Sequence, residues 1–388
     1  MYFEYTLMNN LLTNLHILLI MKLNIFISFA LIISLISSCK TPKEDKFSHF
    51  KATNEFIVTS GRTDTTATND IVLIGSASSI SFKVQGDSCT VLLKNKEASH
   101  GYIALEIDNE YIERLKIEGT SYIHYNLPLK KEKEYHNITL YKATEAQTGD
   151  ILFGGINAKK IAKIPSDNRK KIEFIGNSIT CGMGVDYEKI PCGSGEWFDQ
   201  HNAYFAYGPR VARALNVDFM LSSSSGIGVY RNWDVDGPTM PEVYENRYLN
   251  TDSTKKWNFK RFNPDVVSIC LGTNDLSDGD DIHPRLPFDA QSFTEKYISF
   301  VNKIYSHYPS VQVVLLSSPM MEGEKSEILN KCLKDVKKYF DENSESKKEI
   351  AIYSFEAAFP HGCTSHPDIK DHKVMAEKLI PFYKKFLE

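Results

Sequence analysis

The 388-residue sequence has no Cys-x-x-Cys pair and no His/Cys cluster at zinc-ligand spacing. A structural or catalytic metal site of the common kinds is therefore not expected, and no cofactor is called for. There is no long basic run, and the net charge is −4. Both features argue against nucleic acid as a partner. Internal repeats and low-complexity segments are absent too, which sets aside solenoids and disordered scaffolds. What remains is a globular composition with generous aromatic content, long enough for two domains and a substantial core.

The N-terminus reads as a targeting segment. Met21-Lys22 opens a short positive stretch, Ile25 to Ile36 is apolar, and Ile36-Ser37-Ser38-Cys39 closes it. A charged start, a short apolar core and small residues before the cut describe a secretory signal. The last four residues resemble a bacterial lipobox, which implies a lipidated Cys39 as the mature N-terminus and a signal peptide over residues 1–39. Met21 is then the expected initiator, with residues 1–20 an overextended start. The alternative is a plain anchor helix, although the apolar run is shorter than the ~20 residues a span prefers. On this reading the protein is an exported lipoprotein, periplasmic or on the cell surface, held to a membrane through lipid. Residues 40–49, mostly polar with one proline, form a tether. Six further cysteines follow (Cys89, Cys181, Cys192, Cys270, Cys332 and Cys363), and export permits disulfides among them.

Between residues 50 and 162 the pattern has period two. Ile80, Phe82 and Val84 alternate with Ser79, Ser81 and Lys83, and Ile103, Leu105 and Ile107 alternate with Tyr102, Ala104 and Glu106. Turn signals at Gly86-Asp87 and Asp108-Asn109 separate them, which predicts an antiparallel β-sandwich. Pro165-Ser166-Asp167-Asn168 marks a boundary, and the texture changes beyond it. Apolar strands are expected at 172–175, 217–222, 266–271 and 311–316, with helices near 203–215, 293–306, 326–340 and 371–387. Such alternation over residues 168–388 predicts a parallel sheet covered on both faces.

Four strings in this second half could carry chemistry. In Gly176-Asn177-Ser178-Ile179-Thr180-Cys181-Gly182, a buried strand stops at a glycine and a serine follows at its carboxyl end, where open α/β sheets bind ligands. Ser178 is a candidate nucleophile or a helix cap. The string lacks the second glycine of Gly-x-Ser-x-Gly, and no lysine stands three residues after the serine, so two familiar serine-enzyme arrangements are disfavoured. Leu221-Ser-Ser-Ser-Ser-Gly226 ends another strand in a glycine whose N–H is sterically open. Leu271-Gly272-Thr273-Asn274-Asp275 ends a third, where the Asn274 amide can face an oxyanion or make an Asx turn. His361-Gly-Cys-Thr-Ser-His366-Pro367 precedes the last helix and offers His366 as a general base.

The order Ser178, Gly226, Asn274, His366 resembles the SGNH (GDSL-type) hydrolase superfamily across residues 165–388. With a β-sandwich ahead of it, and with Gly-Asn-Ser-Ile-Thr-Cys-Gly at the serine, the chain is most similar to carbohydrate esterase family 2. That resemblance implies a small jelly-roll domain followed by an α/β/α hydrolase domain with a flavodoxin-like parallel sheet. It also implies deacetylation of plant polysaccharides such as xylan and glucomannan. Ser178 would be the nucleophile and His366 its base. The N–H groups of Ser178 and Gly226, with the Asn274 side chain, would form the oxyanion hole.

Two positions depart from the superfamily pattern. Asn177 replaces the usual aspartate before the serine, and Cys363 stands where the triad acid normally sits, three residues before the histidine. The resemblance then implies a Ser-His dyad with the imidazole oriented by a backbone carbonyl. Asp368 and Asp371 read as loop and helix-capping residues. If Ser178 and His366 touch, Cys181 and Cys363 come near each other, and a Cys181–Cys363 disulfide is expected, with Cys181–Cys192 the competing pair. Trp233 and Tyr230 follow the Gly226 string and are candidate sugar contacts. Two other readings stay open: a different SGNH esterase, lipase or thioesterase, and a non-catalytic glycan-binding surface lipoprotein.

Overall fold

The computed structural model describes residues 2–36, 46–97, 99–165, 167–343 and 349–388. Cys39 and residues 40–45 of the expected tether lie outside them. The chain divides into two units, Met1–Lys46 and Phe47–Glu388. The first holds one helix, α1 (Tyr2–Ile36), which is continuous through Met21. Among the described residues, no helix is long and apolar enough to cross a membrane.

The second unit begins with twelve strands: β1 (Ser48–Lys51), β2 (Val58–Ser60), β3 (Thr63–Thr65), β4 (Ile71–Leu73), β5 (Ser79–Gln85), β6 (Ser88–Asn95), β7 (His100–Ile107), β8 (Glu110–Glu118), β9 (Ile123–Pro128), β10 (Tyr135–Lys142), β11 (Ile151–Ala158) and β12 (Lys160–Ala162). They form two antiparallel sheets. One runs β3-β4-β11-β6-β9 with β1 against β11, and the other runs β12-β5-β10-β7-β8 with β2 against β5. Ile80, Phe82 and Val84 meet Val91, Leu93, Phe153 and Ile156 in the core between them. Burial of these alternating side chains sets the register, because a one-residue slip would turn each of them outward. Asp108 and Asn109 both adopt positive φ (55° and 68°), the backbone of a tight β7–β8 hairpin.

The rest of the unit is a parallel five-stranded sheet of order β14-β13-β15-β16-β17. Its strands are β13 (Lys171–Gly176), β14 (Asp218–Ser223), β15 (Val266–Cys270), β16 (Gln312–Leu316) and β17 (Ala351–Tyr353). The sequence pattern missed β17, which has three half-buried residues at the sheet edge and no apolar run to betray it. Helices α3 (Tyr207–Leu215) and α7 (Ile369–Leu387) cover one face through Val211, Ala212, Met375 and Leu379, which pack on Ile172, Phe174, Val314 and Leu316. Helices α5 (Ala290–His307) and α6 (Gly323–Asn343) cover the other through Phe300, Ile304, Leu333 and Val336, on Ile175, Val267, Ile269 and Leu315. Two short helices, α2 (Ser178–Cys181) and α4 (Met240–Val243), lie in the connections.

The two halves share a buried surface. Tyr102, Ala104 and Glu106 of β7 alternate with the sandwich core residues yet are themselves only 3%, 0% and 6% exposed. Tyr102, Ala104, Tyr141 and Ala143 pack with Phe198, Tyr204 and Leu221 of the α/β half, and Glu106 accepts a hydrogen bond from the Tyr204 hydroxyl at 2.8 Å. Arg62 crosses the same boundary, fully buried. It donates to the carbonyls of Tyr244 and Asn246, each at 2.8 Å, and to Ser222 Oγ at 3.2 Å. Ser222 and Tyr244 in turn donate to the buried Glu173 of β13.

Candidate active site

Three neighbouring strands, β14, β13 and β15, end side by side, and the strand order reverses at this point, the position at which open α/β sheets bind ligands. Ser178 leaves β13 through a turn with no room to spare. A Cβ on Gly176 would stand 2.0 Å from Thr180 Oγ1, so only glycine fits. Asn177 caps the short helix α2, its Oδ1 accepting the Ile179 N–H at 3.1 Å, and so supports the turn that presents the serine. Ser178 thus becomes the first residue of α2. Its Oγ lies 2.8 Å from His366 Nε2, although 188 residues separate them.

Among the described residues, the other side of the imidazole has no carboxylate partner. His366 Nδ1 sits 3.1 Å from the Thr364 carbonyl and 3.0 Å from Thr364 Oγ1, whose own hydrogen goes to the Cys363 carbonyl at 2.7 Å. With Nδ1 donating to Thr364, Nε2 is left to accept from Ser178. Two consecutive left-handed residues, Thr364 (φ 52°) and Ser365 (φ 58°), fold the loop back so that this carbonyl reaches the ring. Burial pushes the His366 imidazole down to about 4, with the Thr364 carbonyl working against the shift. Asp368 is the N-cap of α7, and Asp371 completes its capping box while also accepting from His361.

Gly226 follows β14 with φ +74°, and a Cβ there would stand 3.0 Å from Trp233 Cδ1. Its carbonyl accepts the Trp233 N–H at 3.1 Å, and among the described residues its own N–H has no partner. Asn274 follows β15. Its Nδ2 donates to the Ile227 carbonyl at 2.8 Å, which ties the Asn274 and Gly226 loops together and leaves the second amide hydrogen for another acceptor. Asp275 is buried and gathers the N–H groups of Val229, Tyr230 and Arg231, at 2.7 Å for Tyr230. Burial raises its carboxyl to about 6 despite those bonds.

The expected Cys181–Cys363 disulfide is not formed. Cys363 is bonded to Cys192, while Cys181 is a free, buried thiol donating to Ser223 Oγ at 3.2 Å. Proximity of Ser178 and His366 did not carry over to their sequence neighbours, because α2 turns Cys181 inward against the end of β14. Cys363 instead lies beside Gly184, whose carbonyl accepts its N–H at 3.1 Å, on the loop that leads to Cys192. The competing Cys181–Cys192 pair is absent for the same reason. Trp233 is 38% exposed beside Gly226. Tyr230 is partly buried and packs against the α5/α6 core.

Sequence reading missed several residues around this centre. Trp197 is exposed and its ring packs edge-on against His201, 5.1 Å between centroids. Glu145 and Gln147, from the connection between β10 and β11, reach the Gly226 loop. The sole sequence signal for them was a pair of polar residues just after an apolar strand.

Comparison with known proteins places this geometry. Residues 59–166 match the family described as carbohydrate esterase 2 N-terminal, and residues 174–349 match the GDSL-like lipase/acylhydrolase family. Ser178, Gly226 and Asn274 fall inside the second match, and His366 falls beyond it. The chain is 28% identical over 287 residues to an acetylxylan esterase / glucomannan deacetylase of Cellvibrio japonicus, covering 70% of this chain and 78% of that one. It is 27% identical over 356 residues to the cellulase/esterase CelE of Acetivibrio thermocellus, covering 88% of this chain but 40% of that longer protein. A solved family two carbohydrate esterase from Clostridium thermocellum, in complex with cellohexaose, superposes with a TM-score of 0.75 at 25% identity, covering 85% of this chain and 98% of that one. Matched in order through both halves, the chain belongs to the SGNH (GDSL-type) hydrolase superfamily, most like carbohydrate esterase family 2, and is a carboxylic ester hydrolase.

Proposed function

We propose that this protein removes O-acetyl groups from plant-type polysaccharides or oligosaccharides, such as xylan and glucomannan, through an acetyl-enzyme on Ser178. The observation that carries this reading is the 2.8 Å contact between Ser178 Oγ and His366 Nε2, with Nδ1 turned to the Thr364 carbonyl. As Ser178 Oγ attacks the acetyl carbonyl, its proton passes to Nε2. The carbonyl oxygen becomes an oxyanion facing the N–H groups of Ser178 and Gly226 and the free hydrogen of Asn274 Nδ2. The imidazolium then returns the proton to the departing sugar oxygen. A water molecule, deprotonated by the same nitrogen, attacks the acetyl-enzyme, and the imidazolium returns that proton to Ser178 Oγ as acetate leaves. The Thr364 carbonyl keeps the tautomer that leaves Nε2 free, the orienting part of a triad acid's role. It adds less stabilisation to the imidazolium than a carboxylate would.

Trp233, exposed beside Gly226, is the proposed sugar-facing surface. The test is acetate release from acetylated xylan, glucomannan and a synthetic acetyl ester. Ser178→Ala and His366→Ala should each lower it by roughly 10²–10⁴-fold; wild-type release by both variants rejects the mechanism. Rates that climb with acyl chain length would point instead to a lipase-like substrate. We further propose export and membrane tethering through lipid on Cys39, from the lipobox-like Ile36-Ser37-Ser38-Cys39. Cys39→Ser should move the protein from the membrane to the soluble fraction, and unchanged membrane association would exclude the lipid anchor.

A further inference from the structure

The Gly226 loop is gripped from outside the α/β half. Glu145 is fully buried, and its carboxylate accepts the Ser225 N–H at 2.9 Å and the Ser225 hydroxyl through a short bond. His201 Nε2, also fully buried, lies 3.4 Å from the same carboxylate. The backbone of Glu145 is anchored as well, its carbonyl accepting from the buried Lys142 Nζ at 2.5 Å. Two residues on, Gln147 Nε2 donates to the Ser225 carbonyl at 2.9 Å and to Ser224 Oγ at 2.6 Å.

These contacts act on one peptide plane. The Ser225 carbonyl and the Gly226 N–H belong to the same peptide unit, and no peptide bond of the described chain is cis. In a planar trans peptide the two dipoles point in opposite directions. A carbonyl held by Gln147 on the sandwich side therefore sends the Gly226 N–H away from the sandwich. Glu145 fixes the preceding peptide through the Ser225 N–H, and Trp233 fixes the following one through the Gly226 carbonyl. Among the described residues the Gly226 N–H is left without a partner, in a loop held through the peptides on either side of it. A glycine at φ +74° would otherwise be the most mobile point of that loop.

We propose that Glu145 and Gln147 are positioning residues that set the Ser225–Gly226 peptide for oxyanion stabilisation, so that the sandwich is a working part of the catalytic centre. The inference rests on the Ser178 esterase reading and deepens it. A buried, ionised carboxylate suits this task because its bonds to N–H and O–H are charge-assisted and unscreened by water. An oxyanion donor needs its orientation in place before reaction, and a misplacement of about 1 Å can cost ~10²-fold in rate.

The test uses the full chain and the variants E145Q, E145A, Q147A, S225A and S178A. Two rates are read: acetate release from a synthetic acetyl ester, and phosphorylation of Ser178 by diethyl p-nitrophenyl phosphate, followed by mass. The second depends on the nucleophile and the oxyanion donors whatever the natural substrate is. Thermal midpoints are measured alongside, and each rate is normalised to folded protein. Expected are kcat losses of about 100-fold for E145A and about 10-fold for Q147A and S225A, with KM within about twofold and phosphorylation slowed in parallel. E145Q, which keeps an acceptor for the Ser225 N–H, should recover part of the E145A loss. Gln147 is exposed, so Q147A should keep the wild-type thermal midpoint. Wild-type kcat and phosphorylation rates in both E145Q and Q147A overturn the proposal, as do losses that merely track unfolded protein. If wild type is phosphorylated at Ser178 but releases no acetate, the acetyl-ester reading fails alone, and the phosphorylation rates of the variants decide this one. Absence of both reactions in wild type overturns both.

Discussion

The two flanks of Ser178 are held by opposite means. On the His366 side, a mostly exposed loop is fixed by a covalent Cys192–Cys363 bond and by two residues in left-handed conformation. All of its parts come from the α/β half. On the Gly226 side, the loop is mostly buried and held by hydrogen bonds, two of its partners coming from the sandwich some 80 residues earlier. An exposed loop has few apolar contacts to order it, so a covalent closure does what packing cannot. A buried loop can be ordered by a carboxylate, because low dielectric makes each bond to it strong. Either device alone would be poorly suited to the opposite flank.

The comparison can be broken first at Gly226. Gly226→Ala places a side chain at φ +74° and 3.0 Å from Trp233 Cδ1, so the loop must shift. We expect a kcat loss of ~10²–10³-fold, the usual cost of an oxyanion donor, with Ser178 and His366 untouched. Steady-state kinetics with an acetyl ester decides it, and a loss under threefold would show that this N–H takes no part.

The covalent flank should be more forgiving. Cys192→Ser opens a link between positions 171 residues apart. It should lower the thermal midpoint, the link being worth up to about 5 kcal/mol. A kcat loss of about 10-fold is expected, from looser placement of the His366 ring. Reduction of the wild type should give the same result. Unchanged kcat after verified reduction would show that the left-handed turn holds itself.

The smallest effect concerns pH. Burial lowers the His366 imidazole from 6.5 to about 4, and the neutral form is the base in the proposed dyad. The acid limb of kcat/KM should therefore lie near 4, with activity nearly flat from pH 7 to 5; a midpoint above 6 would contradict it. Stability has the same sign. His366 and the buried His372, the latter lowered to about 3, bind protons more readily in the unfolded chain. Their contribution is present above pH 6.5 and is lost as pH falls toward those values. Thermal midpoints measured across pH 7 to 4 should decline accordingly.

Much of this centre was readable in one dimension. Ser178, Gly226 and Asn274 each follow an apolar strand, and strand ends converge by the geometry of a parallel sheet. His366 precedes the last helix, whose docking brings it to the same edge. The disulfide partner was not readable. Cys181 and Cys363 share a spacing relative to Ser178 and His366, but spacing carries no side-chain direction, and α2 turns Cys181 into the interior. Tyr102, Ala104 and Glu106 likewise alternate with the core-facing residues of β7. They are buried because a second layer, remote in sequence, covers them.

Local patterns by themselves determined the sandwich and the parallel sheet, because hydrophobic periodicity acts over a few neighbours, while the four motif residues stood out only through their joint resemblance to the SGNH order. Only the tertiary structure decided which carbonyl orients His366, which cysteine meets Cys363, and that Glu145 and Gln147 reach the Gly226 loop. Those outcomes depend on the docking of segments tens to hundreds of residues apart, where direction and burial, rather than residue type, select the partner.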